Sequence, residues 1–159
     1  AANKNLFDGK VQIICESGKT DNNLLNWALG WFKSIGMVLK EMNPEDHDKH
    51  IAYVSHLSHI SSFILGQTVL EKEKDESAIF AMAGSGFAST VRLAKSSPDT
   101  WSSIFEENKE NILETLKHYL SNLEEFKFLL EKENYKKIYE TIEKTNAIKK
   151  VLKGIKTED

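Results

Sequence analysis

Four of the chain's five histidines, His47, His50, His56 and His59, fall in one short stretch that also holds Asp46 and Asp48. Histidine and carboxylate are the residues of metal sites and of acid–base chemistry. An adjacent pair such as His47-Asp48 is one that metal-dependent hydrolysis uses. The spacing argues against a shared ion. At about 100° per residue, His47 and His50 lie on one flank of a helix, while His56 and His59 lie well over 90° away. His56 and His59, three apart, make half a site. No nearby Glu or Cys completes it, and His118 is the only histidine elsewhere. Histidines satisfied at helix contacts are the better reading.

The same stretch carries a polar stripe. Asp48, Ser55, His59, Ser62 and Gly66 fall within roughly 80° of one another on a helical projection. Tyr53, Leu57, Ile60 and Ile64 occupy the opposite side. After Lys49 the polar face holds only Ser, His, Gly and Gln. That pattern fits a buried helix whose stripe faces a ligand or partner. It fits equally a core helix whose Ser and His bond backbone or neighbouring helices.

Further on, Gly84-Ser85-Gly86-Phe87-Ala88-Ser89 nearly matches the dinucleotide fingerprint GxGxxG. It lacks the third glycine and follows a helical pattern, where a dinucleotide cradle needs a strand. The better reading is a tight turn that aims the next helix. That helix carries Arg92, the only arginine, among Val91, Leu93 and Ala94. A lone arginine there is a bidentate carboxylate binder or an internal ion pair with Asp48 or a Glu. Trp101 reads as core or as a pocket wall.

These residues need elements to hold them. Asn43 is a helix cap, Pro44 fits the first turn, and Glu45 and Asp46 suit the helix dipole. One helix is therefore expected from Asn43 to Leu70, ended by the charged run Glu71 to Glu76. A short helix Ser77 to Ala83, a helix Phe87 to Lys95, and a long amphipathic segment Asp99 to Lys132 capped by Ser97 should follow. A last helix, Tyr135 to Leu152, ends at Gly154, with Lys156 to Asp159 fraying. Upstream, Lys10 to Cys15 and Met37 to Met42 read as strands. They flank a helix Leu24 to Ile35 with Asp21 as cap and Gly36 as stop. This β-α-β unit implies parallel strands. Two such strands make no stable open sheet, so the chain is expected to begin inside a larger α/β domain.

Composition bounds the rest. The 159 residues are 40% hydrophobic and 28% charged, with net charge −3. No basic footprint for nucleic acid appears. One cysteine, Cys15, allows no intrachain disulfide, which is compatible with the cytoplasm. No run of about 18 apolar residues suggests a membrane span, and the first residues lack a signal core.

Taken together, H-D-K-H-I-A-Y-V-S-H-L-S-H, then A-G-S-G-F-A-S-T-V-R-L-A-K-S-S-P-D-T-W, then I-F-E-E-N-K-E-N-I-L closely resemble the C-terminal part of prephenate dehydrogenase. That family shows patterns like H-D-x(6)-S-H-L-P-H, G-G-F-x-D-x-x-R-I-A, P-x-x-W and I-x-x-x-N. The resemblance implies a mainly α fold. Residues 1–43 would be the end of the NAD-binding α/β domain, a Rossmann-type β-α-β remnant, and 44–159 an all-helical dimerisation and substrate-binding domain.

It also implies NAD-dependent oxidative decarboxylation of prephenate to 4-hydroxyphenylpyruvate in tyrosine biosynthesis, by a cytoplasmic homodimer. Arg92 matches the arginine that binds the substrate carboxylate. Ser55, His59 and Asp48 match polar pocket residues, Trp101 a tryptophan near the pocket across the dimer, and Gly84 and Gly86 the turn before the arginine helix. The NAD loop and catalytic histidine of the family have no match here, so none of the five histidines takes that role. The chain alone is expected to be inactive. Ser58 stands where the family has proline, and Ser89 where many members have a gating acid. Arogenate dehydrogenase of the same family, a purely structural dimerisation module and a metal-dependent helical hydrolase are the competing readings.

Overall fold

The computed structural model describes residues 5–74 and 78–154. Within this range β1 (Val11–Ile14), α1 (Asn22–Ser34) and β2 (Val38–Glu41) form the expected β-α-β unit. The strands pair in parallel, Val11 opposite Val38 through Ile14 opposite Glu41. Asp21 accepts from the backbone N–H groups of Asn23 and Leu24 and starts α1. Gly36 then turns the chain at φ +83°, where a Cβ would press on Asp8. Position 36 therefore needs glycine on two counts.

This unit is unfinished as a globular core. Trp27 is 68% exposed, and Leu24, Trp31, Val11 and Val38 also lie open.

The helical part follows. Asn43 caps α2 (Pro44–Ile51) by accepting from Glu45 N–H at 2.8 Å. The expected single helix is continuous in direction but not in type. Between α2 and α3 (Leu57–Glu73), residues Ala52–His56 form a π-turn, with Leu57 N–H bonded to the Ala52 carbonyl five residues back. A π-turn carries one extra residue, so everything beyond it is set back by about one position, roughly 100°. Uninterrupted projection does not foresee this shift.

A 3-10 turn Phe80–Met82 stands where the short helix was expected. The Ser77 start of that helix, the end of the charged run before it and the Lys156 to Asp159 tail lie outside the described residues. Next come α4 (Ser85–Thr90) and a 3-10 turn Arg92–Lys95, replacing one continuous helix. Then α5 (Pro98–Glu107) begins at its Ser97 cap. The expected long segment is two helices, because Asn108 leaves helical geometry at φ −112°, ψ 27°. The second is α6 (Lys109–Glu131). The last helix is likewise split into α7 (Tyr135–Thr145), a 3-10 turn Asn146–Ile148 and α8 (Lys149–Leu152).

The chain forms two compact units, Ala1–Ile112 and Leu113–Asp159. In the first, Ala52, Ile112, His56, Ser62 and Asn108 are buried; in the second, Thr115 and Leu129. The helix expected to be buried on most sides leaves Tyr53, Val54, Ile64 and Leu70 exposed in the single chain.

Candidate functional site

The cluster lies in the first unit, where α3 meets the segment from Thr90 to Asn108. Two contacts dock that segment. Ser62, 1% exposed, donates to the Thr90 carbonyl at 3.0 Å. Gly66 lies against Ala94, where a Cβ would stand 3.5 Å from the Ala94 methyl. Arg92 sits between these anchors. Its side chain is exposed, and among the described residues no carboxylate pairs with it. Among the described residues the internal ion pair is not formed, and the Arg92 turn is held next to α3 by the Thr90 carbonyl on one side and the Ala94 methyl on the other.

The stripe of α3 ends in aromatic contacts. His59 stacks on Trp101 with ring centroids 3.5 Å apart and planes 23° apart. Trp101 also meets Phe105, at 5.5 Å, and the edge of His56, at 6.0 Å. All of these belong to one chain. Beside them runs a groove of about 400 Å³, lined by Phe63, Ala94, Ser96, Pro98, Trp101 and Phe105. Its wall thus includes both the Arg92 turn, through Ala94, and the tryptophan.

His59 Nδ1 lies 3.0 Å from the Ser55 carbonyl. A carbonyl only accepts, so Nδ1 donates to it, and in the neutral ring Nε2 keeps its lone pair. Among the described residues nothing bonds Nε2. Ser55 itself enters through that carbonyl and is half-buried.

Asp48 behaves differently from its place on the helical projection. Its carboxylate is exposed and bonds the ring of His47 at 2.9 Å. The π-turn explains this, since it rotates the residues after His56 relative to Asp48. The Asp48 backbone carbonyl joins the cluster, accepting from Asn108 Nδ2 at 2.7 Å. Gly84 and Gly86 flank the start of α4, and a Cβ at either would meet nothing within 4 Å. The Gly86 carbonyl accepts from Ser89 and Thr90 hydroxyls, each at 2.9 Å. So His59, Trp101 and the Arg92 turn are brought together, with Ser55 joining through its carbonyl, while the Asp48 carboxylate bonds the His47 ring.

Two members of this cluster were not among the expected site residues. His56 is 6% exposed, and Asn108 Nδ2 lies 3.3 Å from its Nδ1. Burial lowers the His56 pKa, helped by His59, against a smaller opposing pull from Asp48. The signal available in sequence was the asparagine of I-F-E-E-N together with the i, i+3 spacing of His56 and His59. Among the described residues no three His, Cys, Asp or Glu side chains gather as a metal site. No described helix is long and apolar enough to cross a membrane.

A dinucleotide cradle is not formed by these residues. Gly84-Ser85-Gly86 follows a 3-10 turn and opens a helix of 6 residues, so no strand delivers a pyrophosphate to a helix start.

A helical domain with a histidine, tryptophan and arginine wall, joined to a parallel β-α-β unit, defines the class. The family model described as prephenate dehydrogenase, dimerization domain, matches residues 43–144. The chain belongs to this family. It is 27% identical over 139 residues to a prephenate dehydrogenase of Bacillus subtilis, covering 87% of this chain and 38% of that protein. A cyclohexadienyl dehydrogenase of Zymomonas mobilis is 25% identical over 77% of this chain and 42% of its own length. Among solved structures, prephenate dehydrogenase from A. aeolicus in complex with hydroxyphenyl propionate and NAD+ superimposes with TM-score 0.83 at 32% identity. It covers 93% of this chain and 52% of that one. The chain thus spans about two fifths of the length of these curated relatives.

Proposed function

We propose that this chain is the C-terminal part of a prephenate dehydrogenase, a cytoplasmic enzyme of tyrosine biosynthesis. The whole protein would convert prephenate to 4-hydroxyphenylpyruvate with loss of carbon dioxide, using NAD as hydride acceptor. In this reading residues 1–43 close the NAD-binding domain, and 44–159 supply part of the substrate pocket and the homodimer interface. The observation that carries the reading is the docking of the Arg92 turn on α3 through Ser62 and Gly66, beside the His59–Trp101 stack. It holds a guanidinium with no carboxylate partner among the described residues beside an aromatic wall, which suits a ring that carries carboxylates. Arg92 would bind a carboxylate through its paired N–H groups. His59, Ser55 and Trp101 would line the ring, and Gly84 and Gly86 would leave room beside the α4 turn. Hydride transfer and the catalytic base lie with residues this chain does not hold.

The test is NADH formation from prephenate by the full-length protein, with arogenate as the competing substrate. Turnover of prephenate, and loss of it in Arg92→Ala, is the expected result. Turnover of arogenate alone would move the assignment to arogenate dehydrogenase. Absence of turnover and of binding for both would leave a structural dimerisation module.

A further inference from the structure

The polar link between α2, the π-turn and the start of α6 has no role in the reading above. Asn108 sits at its centre. Its Oδ1 accepts from Asn111 Nδ2 at 2.7 Å. Its Nδ2 faces the Asp48 carbonyl at 2.7 Å and His56 Nδ1 at 3.3 Å. The Asp48 carbonyl can only accept, so the amide orientation is fixed with nitrogen towards it. The second N–H of that nitrogen then points at His56 Nδ1, which must be the bare nitrogen.

We propose that Asn108 is a positioning residue that holds His56 as a neutral imidazole with its proton on Nε2. The adjacent His59 is held in the opposite tautomer by the Ser55 carbonyl. The two rings flanking Trp101 thereby offer one donor, His56 Nε2–H, and one acceptor, His59 Nε2. Among the described residues no buried side-chain nitrogen or oxygen lacks a partner. His56 Nε2 has none among the described residues, so it is not fully sealed from solvent. The group it would meet is an oxygen acceptor of a ligand, a carbonyl, hydroxyl or carboxylate.

Burial and the like-charged neighbours His59 and His47 also favour the neutral ring, with Asp48 opposing them. From α5 and the start of α6 the ring meets uncharged Trp101 and Asn108. Protonating Nδ1 would set two donors face to face.

The consequence for substrate rests on the dehydrogenase reading; the tautomer does not. The first measurement is a long-range 1H–15N spectrum of the full-length protein labelled with [15N]histidine, assigned by the signal lost in His56→Gln. The expected result is an imine-like Nδ1 and a pyrrole-like Nε2, unchanged from roughly pH 8 down to below the ordinary histidine value of about 6.5. A protonated Nδ1 overturns the proposal, whatever the protein does with prephenate.

The second is Asn108→Asp, which keeps the shape but turns the donor into an acceptor. His56 Nδ1 should then gain a proton, leaving Nε2 bare once the ring is neutral. KM for prephenate should rise about tenfold as pH rises through that titration, the scale of one lost hydrogen bond. The wild type should show no such step. Parallel pH profiles for a folded variant and wild type overturn the positioning role. If the wild type neither binds nor turns over prephenate, the dehydrogenase reading fails, and the spectrum still decides the tautomer.

Discussion

The stretch from α2 to Asn108 and the unit from Leu113 onward are both built from helices, but of the buried polar side chains among the described residues His56, Ser62 and Asn108 lie in the first and Thr115 in the second. In the first, apolar Ala52 is buried beside polar residues. His56, Ser62 and Asn108 are buried and each bonds a different element. In the second, Leu113, Leu120, Leu123, Phe128, Leu130, Tyr135, Tyr139 and Ile142 lie exposed. A directed hydrogen bond adds only about 1 kcal/mol net but fixes position. Apolar area adds stability in proportion to its extent and has no direction. The first region is therefore built to orient groups, and the second is short of a surface to cover. Leu113 and Leu120, and likewise Leu116, Leu123 and Leu130, repeat every seven residues, the spacing of a helix seam.

The largest effect should come from making that seam polar. The double variant Leu120→Asp, Leu123→Asp is expected to weaken self-association by more than about 2 kcal/mol, or over roughly 30-fold in Kd. Sedimentation against protein concentration reads this, with circular dichroism to check that helices persist. An unchanged oligomer would remove the seam from the interface and blunt the contrast. In the first region, Arg92→Ala should cost roughly 2 to 5 kcal/mol of prephenate binding in the full-length protein, the scale for a desolvated charge left alone. Unchanged KM and kcat would take Arg92 out of the site. Unlike the leucine pair, it should leave the oligomer intact.

Next in size is Ser62→Ala. It strips the Thr90 carbonyl of its side-chain donor in a buried place, at about 1 to 2 kcal/mol in chemical denaturation. Because Thr90 anchors the Arg92 turn, KM should rise with it. A stability loss with no change in KM would mean that the anchor holds the fold and not the arginine. Acid should act through His56. Its folded pKa is depressed, so the unfolded chain binds the proton more readily. The stabilisation is therefore complete above the unfolded value of about 6.5 and is lost as pH falls through the folded value. The slope for one proton is at most about 1.4 kcal/mol per pH unit. His56→Asn should flatten that part of the stability profile measured from roughly pH 7 to 5. If wild type and variant fall in parallel over this window, another group carries the acid sensitivity.

Much of this was legible beforehand because caps and breakers are local. Asp21, Asn43 and Ser97 start helices where their side chains reach the next free N–H groups, and Gly36 turns where only glycine fits. Parallel pairing followed from the length of the β-α-β connection. What sequence periodicity could not carry was phase. The π-turn at Ala52–His56 contains no glycine or proline, so nothing marks the inserted residue, and it shifts the phase of α3 relative to α2. The break at Asn108 was equally silent, since asparagine lowers helix propensity only mildly. Its reason is tertiary: the side chain reaches the Asp48 carbonyl and His56, partners 60 and 52 residues away in sequence. Arg92 stood out as a lone cation, but its docking rests on Ser62 and Gly66, small residues with no distinctive signal.

The smallest effect tests that docking from the other side. Gly66 lies in mid-helix, where glycine costs about 1 kcal/mol relative to alanine. Its Cβ would stand at ordinary contact distance from the Ala94 methyl, 3.5 Å. Gly66→Ala should thus be neutral or stabilise by up to about 1 kcal/mol, with KM for prephenate unchanged. Gly66→Leu carries the same helix gain but has no room for its branch, so it should push the Ala94 turn away and raise KM as Ser62→Ala does. If alanine alone already raises KM, the two segments approach more closely in the working enzyme than in the free chain. If leucine leaves KM unchanged, the Arg92 turn is not held by α3, and the first region would orient its groups no better than the second.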